Sequence, residues 1–383
     1  MANEAEVFGL PRCLIEFKTK GTTAIKRSAR GIVAMILHNE TADISNYYKI
    51  SDVSDIPATG LTAANVDLIK KCLDGTPLRV LVYTLPLEST IGEGEDAEPV
   101  TNTQAEVLKK LVGIKWNYIC APTATEDEQN DLASWIKAQR HNKLKTFKAV
   151  LANVPADDEG IVNFCTGNIK VQTGTDDNGN LTYTTYTALQ YTARIAGILA
   201  GLSLDRSATY FKLTEVEEVE QYEDIDSMID AGKLLLIDEQ DGDGVKIARA
   251  CNSLVTFTTD KGEDFRFIKI IEAIDLITDD IRDTYKKYYV GKVINDYDHK
   301  MLFVSSIRVY FEAIKGNVLD RDGNNTIDID EQYQLNYAKL KGEDTEKMSV
   351  MEIRKYNTGT NTVLAGDVKP VNAMEDLKIR FGM

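Results

Sequence analysis

The sequence predicts a mixed fold, part α/β and part α+β, on three observations. Between residues 31 and 165, short apolar runs alternate with stretches of helical periodicity. That is the pattern of strands and helices built around a mostly parallel sheet. Residues 169–187 hold Asp-Asp-Asn-Gly-Asn between two Thr/Tyr/Val-rich segments, and Asn-Gly supplies the positive φ that a tight hairpin turn needs. Beyond residue 251 a β-rich piece, SLVTFTT, is followed by two long helical patterns.

Taken in order, residues 9–18, GLPRCLIEFK, open with a Gly-Leu-Pro break. Cys13, Ile15 and Phe17 then alternate with Arg12, Glu16 and Lys18, which reads as a half-buried strand. Residues 31–37, GIVAMIL, are apolar throughout, as expected of a strand covered on both faces. Residues 62–74 place Ala63, Val66, Ile69 and Leu73 near helical spacing, and 78–84, LRVLVYT, is a second buried strand. An acidic loop at 89–100 precedes a helix at 103–112, a strand at 117–121 and a helix from Glu126 to Gln139. The acidic opening of that last helix suits the positive end of its dipole. Strands at 146–152 and 161–165 come next, then the hairpin at 169–187.

The following helix carries Ile195, Ile198, Leu199 and Leu202 on one face. Gly197 and Gly201 lie on one stripe of it, where missing side chains permit close backbone contact. An acidic, alternating stretch over 211–239 ends in the apolar strand KLLLID. Of the two late helices, the second aligns Val304, Ile307, Phe311 and Ile314. The last segment, DLKIRFGM, sets Leu377, Ile379 and Phe381 against Lys378 and Arg380, a strand with one apolar and one basic face.

Composition narrows the function. The 383 residues are 43% hydrophobic and 27% charged, with a net charge of −16. Such a balance opposes nucleic acid and anionic membranes, which are bound by Lys- and Arg-rich surfaces. No run of about 18 apolar residues exists to span a bilayer, and the first residues lack the basic start and apolar core of a secretory signal. The five cysteines, Cys13, Cys72, Cys120, Cys165 and Cys251, are scattered in apolar runs. They read as buried free thiols rather than a disulfide or zinc framework.

Chemistry is sparse. The three histidines, His38, His141 and His299, sit at no metal-ligand spacing, and HExxH, GxSxG, GxxxxGK[ST] and a GxGxxG after a strand are absent. Paired carboxylates such as Asp279-Asp280, Glu217-Glu218 and Asp157-Asp158 read as solvated surface. One segment has two readings. Residues 320–331, DRDGNNTIDIDE, match the calcium loop of an EF-hand at Asp320, Asp322, Asn324, the Thr326 carbonyl, Asp328 and Glu331. Against calcium, the loop's sixth position is Asn325 instead of Gly, and Gly316-Asn317 interrupts the entering helix. The alternative is a hairpin: Val318-Leu319, a polar turn, then 326–330 leading into a helix.

Several segments in order resemble the tail sheath proteins of contractile phages and phage-like particles. They are GLPRCLIEF, RSARGIVAMIL, QYTARIAGILAGLSLDRSATYFKL, ARACNSLVTFTTDKGEDFRFIKIIEAIDLITDDIR, YYVGKVINDYDHKMLFVSSIRVYF and VNAMEDLKIRF. The resemblance is weakest over about 85–185 and nearest to the smaller sheaths of Gram-positive phages, defective prophage particles and R-type bacteriocins. It implies stacked hexameric rings around a tail tube, with contraction driving the tube through a target envelope. It implies partners in further copies of the chain joined head to tail, in the tube protein, and in baseplate and terminator proteins, with assembly in the host cytoplasm and residence in the virion or tail-like particle.

The implied domains are an N-terminal arm at 1–30 that begins the core, an outer α/β domain over 31–240, a C-terminal core domain over 241–370, and an arm strand at 371–383. On this reading Arg12, Cys13, Ile15, Phe17, Leu377, Ile379 and Phe381 are intersubunit contacts. A lone edge strand exposes unpaired N–H and C=O groups, which a neighbour's sheet satisfies by strand addition. Pairing of both ends within their own domain is the competing expectation. No catalysis and no cofactor are expected. The rival functions are a calcium-binding protein using 320–331 and an α/β enzyme of unknown substrate.

Overall fold

The computed structural model describes residues 30–39, 47–86, 90–91, 98–99, 103–176 and 179–382. They form β1 (Ile32–Asn39), β2 (Tyr47–Ile50), α1 (Ala63–Leu73), β3 (Arg79–Pro86), β4 (Thr90–Ile91), β5 (Glu98–Pro99) and α2 (Gln104–Leu111). Next come β6 (Tyr118–Cys120), α3 (Glu126–Lys143), β7 (Lys148–Ala152), β8 (Ile161–Phe164), β9 (Ile169–Thr175), β10 (Leu181–Tyr186) and α4 (Ala188–Gly201). β11 (Val216–Glu218), α5 (Ile225–Asp230), β12 (Lys233–Leu234), β13 (Leu236–Ile237) and β14 (Lys246–Ile247) follow. The chain closes with α6 (Ile268–Tyr288), α7 (Tyr297–Ile314), β15 (Asp328–Ile329), α8 (Glu331–Leu340), α9 (Val350–Lys355) and β16 (Leu364–Ala365).

Two compact units result, each discontinuous in sequence. Among the described residues the larger holds those up to Asp283 with 315–324 and 368–382, and the smaller holds 284–314 and 325–367. Among the described residues, the first boundary between the two units falls inside α6, after Asp283. Residue 240 is bracketed by the antiparallel pair of β13 and β14, in which Leu236 faces Ile247 and Ile237 faces Lys246.

The larger unit is built on a seven-stranded sheet in the order β12-β8-β7-β6-β1-β3-β2. All neighbours run parallel except β2, which runs antiparallel to β3 at one edge. Both faces are covered, which is why the strands read as unbroken apolar runs. One face sends Val33, Met35, Leu37, Val80 and Val82 against α1 and α4. The other sends Ile32, Ala34, Ile36, Leu81 and Tyr83 into a core shared with α2 and α3, completed by stacked Trp116, Trp135 and Phe147.

Local sequence fixes the helix starts. Thr125 and Thr187 cap α3 and α4, each in a reciprocal box with Glu128 or Gln190. The hairpin forms as expected, β9 antiparallel to β10, with Gly179 at φ +83 in its turn. Helix α4 lies so close to the end of α1 that a Cβ on Gly197 would stand 2.0 Å from the Cys72 carbonyl oxygen.

Two local expectations are corrected. SLVTFTT forms no strand: two of its backbone N–H groups, on Val255 and Thr256, are taken by the Asp157 side chain at 2.7 and 2.9 Å. Val318-Leu319 and 326–330 do not make a hairpin. In the larger unit Leu319 bridges to Pro370, and Val371 N donates to Val318 O at 3.0 Å. In the smaller unit Asp328 and Ile329 pair antiparallel with Ala365 and Leu364. The returning C-terminal segment supplies the partner in both cases.

The smaller unit has an aromatic centre, with Tyr285 and Tyr289 packed on Phe303. The predicted stripe on α7 is buried at Val304, Ile307, Phe311 and Ile314. Lys300 is buried too, satisfied by Gln334 at 3.2 Å and Thr358 at 3.1 Å.

Candidate functional site

In the larger unit the backbone of 369–371 is tied down, since Asp320 N donates to Lys369 O at 2.8 Å and Val371 N to Val318 O. Val371, Ala373 and Glu375 then turn partly inward while Asn372, Met374 and Asp376 are exposed. Glu375 is held firmly. Its side chain is 7% exposed, and Oε1 accepts hydrogen bonds from Ser207 Oγ at 2.9 Å and Thr209 Oγ1 at 2.8 Å. Oε2 lies 3.4 Å from Arg249 Nε without a hydrogen bond of its own. Arg249 Nη2 also donates to Asp376 Oδ1 at 2.6 Å.

Past that point the chain leaves the body. Leu377, Ile379 and Phe381 are 80%, 59% and 87% exposed. The alternation read from the sequence is therefore present, but no strand forms among the described residues of 371–382. A strand exists only when a second strand accepts its N–H and C=O groups, and residues 377–382 have none among the described residues. Arg12, Cys13, Ile15 and Phe17 lie outside the described residues.

Asp320, Asp328 and Glu331 are engaged by cations of the protein. In the larger unit Asp320 pairs with Lys369 at 3.0 Å. Lys369 and the amide of Asp322, which donates to Asp320 Oδ1, hold the Asp320 carboxyl below its ordinary pKa. In the smaller unit Asp328 is bound by Arg354 at 2.6 Å and Arg308 at 3.0 Å, and Glu331 by Arg354 at 2.6 Å. Three of the acidic positions that an EF-hand loop would give to calcium thus have side-chain cations as partners.

An ionic seam in the larger unit went unread in the sequence. α6 presents Glu272, Asp275, Asp279 and Asp283 along one stripe. Arg30 and Lys148 (3.0 Å) meet Glu272, and Tyr118 OH donates to it at 2.6 Å. Lys148 (2.7 Å) and both Arg140 Nη atoms (3.2 Å) meet Asp275, Thr146 Oγ1 donates to Asp279 at 2.9 Å, and Lys115 pairs with Asp283 at 2.6 Å. Asp279 is buried in this seam, and Asp280 and Asp158 are buried too, not solvated, while Glu217 and Glu218 are exposed. The i, i+3, i+7, i+11 spacing of the acidic stripe was the available signal.

Other reactive groups are committed to structure. His141, Asp158 and Glu159 bring ligand atoms within 4.8 Å of one another, but Lys261 already binds both Glu159 oxygens at 2.8 and 2.9 Å. Cys72, Cys120 and Cys251 are buried and Cys165 half-buried. Burial pushes the Cys165 thiol up to about 11 and that of Cys251 to about 12, far from the thiolate a nucleophile needs.

Comparison with known proteins shows the family. Residues 98–253 match the phage tail sheath protein central domain, and residues 260–383 the phage tail sheath C-terminal domain. The tail sheath protein of Clostridium phage phiCD119 is 36% identical over 380 residues, 98% of this chain and 99% of that protein. Among solved structures, the sheath tail protein of Desulfitobacterium hafniense is similar with a TM-score of 0.63 at 20% identity, covering 83% of this chain and 94% of that one. The anti-feeding prophage helical sheath in its contracted state gives 0.66 at 13% identity, covering 98% and 99%. These two likenesses concern the fold.

Proposed function

Because the chain belongs to the phage tail sheath family, and is a structural sheath subunit rather than an enzyme, we propose that it works by joining copies of itself head to tail. The copies stack as hexameric rings around a tail tube and form a tube-shaped sheath. Contraction of that sheath drives the inner tube through a target envelope. Work of this kind needs no reacting group; it comes from free energy stored in an extended assembly and released as contacts rearrange. The tail tube, baseplate and terminator proteins are the partners this role requires. Assembly takes place in the host bacterial cytoplasm, and the product is a virion or tail-like particle.

The observation that carries the reading is identity of 36% to a tail sheath protein along 98% of the chain. The tail end supports the joining mechanism. An alternating segment that leaves Leu377, Ile379 and Phe381 exposed is what a neighbour's sheet edge accepts: backbone bonds give affinity and the apolar face gives register. Such heterologous contacts propagate instead of closing as a dimer.

Electron microscopy of the purified protein tests the role. Hollow tubes or rings are expected, and a chain that stays monomeric at high concentration overturns it. Deletion of residues 377–383 tests the mechanism: tubes should be lost while the monomer melts as before. Tubes that persist in the deletion remove strand exchange.

A further inference from the structure

We infer that Glu375 is the anchor that sets where the C-terminal arm departs from the body, received by a turn at 203–209 that also lies beside Arg30. The inference rests on the arm reading given above and adds a positioning residue to it.

The argument begins with phase. Val371, Ala373 and Glu375 share the inward side of an alternating segment, and Leu377, Ile379 and Phe381 continue the same phase outward into solvent. Apolar side chains would ordinarily be the ones to stay on the body. Here the last inward position is a carboxylate, and the body offers it two hydroxyl donors and a guanidinium. A buried carboxylate is costly without such donors, so it is held where they are. Among the described residues the last backbone–backbone hydrogen bond of this segment is that of Val371 to Val318. The Glu375 carboxylate, held by Ser207, Thr209 and Arg249, is therefore the main polar hold on this segment, and the exposed Asp376 pair adds little.

The turn that receives Glu375 lies beside the other end of the described chain. A cavity of about 530 Å³ is walled by Arg30 and Gly31, by residues 203–208 including Ser207, and by Glu272 and Val318. Arg30 is fixed there by its ion pair with Glu272. Val318 accepts the Val371 amide. Ser207 thus touches the C-terminal anchor and lines the cavity that also holds Arg30.

Anchoring shortens the free arm to the residues after Asp376. A tether released at 375 would be free from 372 onward, and the neighbour would have to order a longer segment on binding. The anchor therefore acts on assembly while adding little to the stability of the body.

The test compares Glu375→Ala, Glu375→Gln, Ser207→Ala and a 377–383 deletion, reading the concentration at which tubes form by light scattering and the melting temperature of the monomer. Glu375→Ala should raise the assembly concentration by about 10-fold or more, the scale of one charged hydrogen bond, with the monomer melt unchanged. Glu375→Gln keeps an acceptor for Ser207 and Thr209 but loses the Arg249 pair, and should fall between Ala and wild type. Should Glu375→Ala fail to fold, Ser207→Ala removes a single donor and must still raise the assembly concentration. Wild-type assembly by Glu375→Ala, with assembly lost in the deletion, overturns the anchor and leaves the arms standing. Wild-type assembly by the deletion removes the arm reading, and the anchor with it.

Discussion

Glu272 lies between Lys148, Arg30 and the hydroxyl of Tyr118. Burial pushes its carboxyl up, but Lys148 and Arg30, with the Tyr118 hydrogen bond, pull it down further, to about 2 against an ordinary 4.5. A carboxyl whose folded pKa is depressed stabilises the fold above the unfolded value. That contribution is lost as pH falls from about 4.5 toward 2. It amounts to roughly 3 kcal/mol at one pKa unit per 1.4 kcal/mol. Urea unfolding across this range should show the loss in wild type and a flatter profile in Glu272→Gln. Lys148→Met should be worse at neutral pH, by about 3–5 kcal/mol, because it leaves buried carboxylates short of a cation. Adding Glu272→Gln to it should recover part of the loss. A neutral effect of Lys148→Met on the urea midpoint would mean the seam is solvated.

At the scale of elements, the contact between α1 and α4 is decided by missing side chains. Gly197 and Gly201 meet the chain at Cys72, Gly75 and Thr76, and a Cβ added to either would stand 2.0 Å from a backbone oxygen, far inside van der Waals contact. Alanine in a helix is worth about 1 kcal/mol over glycine, yet the obstructing atoms are backbone carbonyls and cannot rotate away. Sterics should win, so Gly197→Ala is expected to lower stability by about 1–3 kcal/mol or more, read as a fall in the urea midpoint. A stabilised variant would show that the two helices can slide apart. The glycine stripe was legible in the sequence because its spacing is local. The partner on α1 was not, since nothing in a one-dimensional pattern says which carbonyl faces a glycine.

For the whole molecule, the net charge of −16 means that copies repel before they join. The range of that repulsion shrinks from about 30 Å at 0.01 M salt to about 8 Å at 0.15 M. Tube formation should therefore begin at lower protein concentration as salt rises, followed by light scattering. A sheath that dissolves with added salt would instead be held by complementary charge at its interfaces. Exposed apolar residues at the tail favour the first outcome, because strand addition buries backbone and apolar surface more than charge.

The sequence by itself determined the layered sheet, the helices on its two faces, the β9–β10 hairpin and the alternation at 377–381. Each is a short-range pattern: a period of two or 3.6, a turn residue, or an apolar run that only a doubly covered strand tolerates. Tertiary structure alone decided the rest. It drew residues 363–371 back to pair with 318–320 and 326–330 within their separate units, against a hairpin that looked sufficient locally. It set Asp279 in a seam with a threonine 133 residues away, where charge counting had put it on the surface. It brought Ser207 across 168 residues to Glu375, the anchor just before the arm goes free. Periodicity encodes which face a side chain takes, whereas the partner it meets is fixed only when the chain closes on itself.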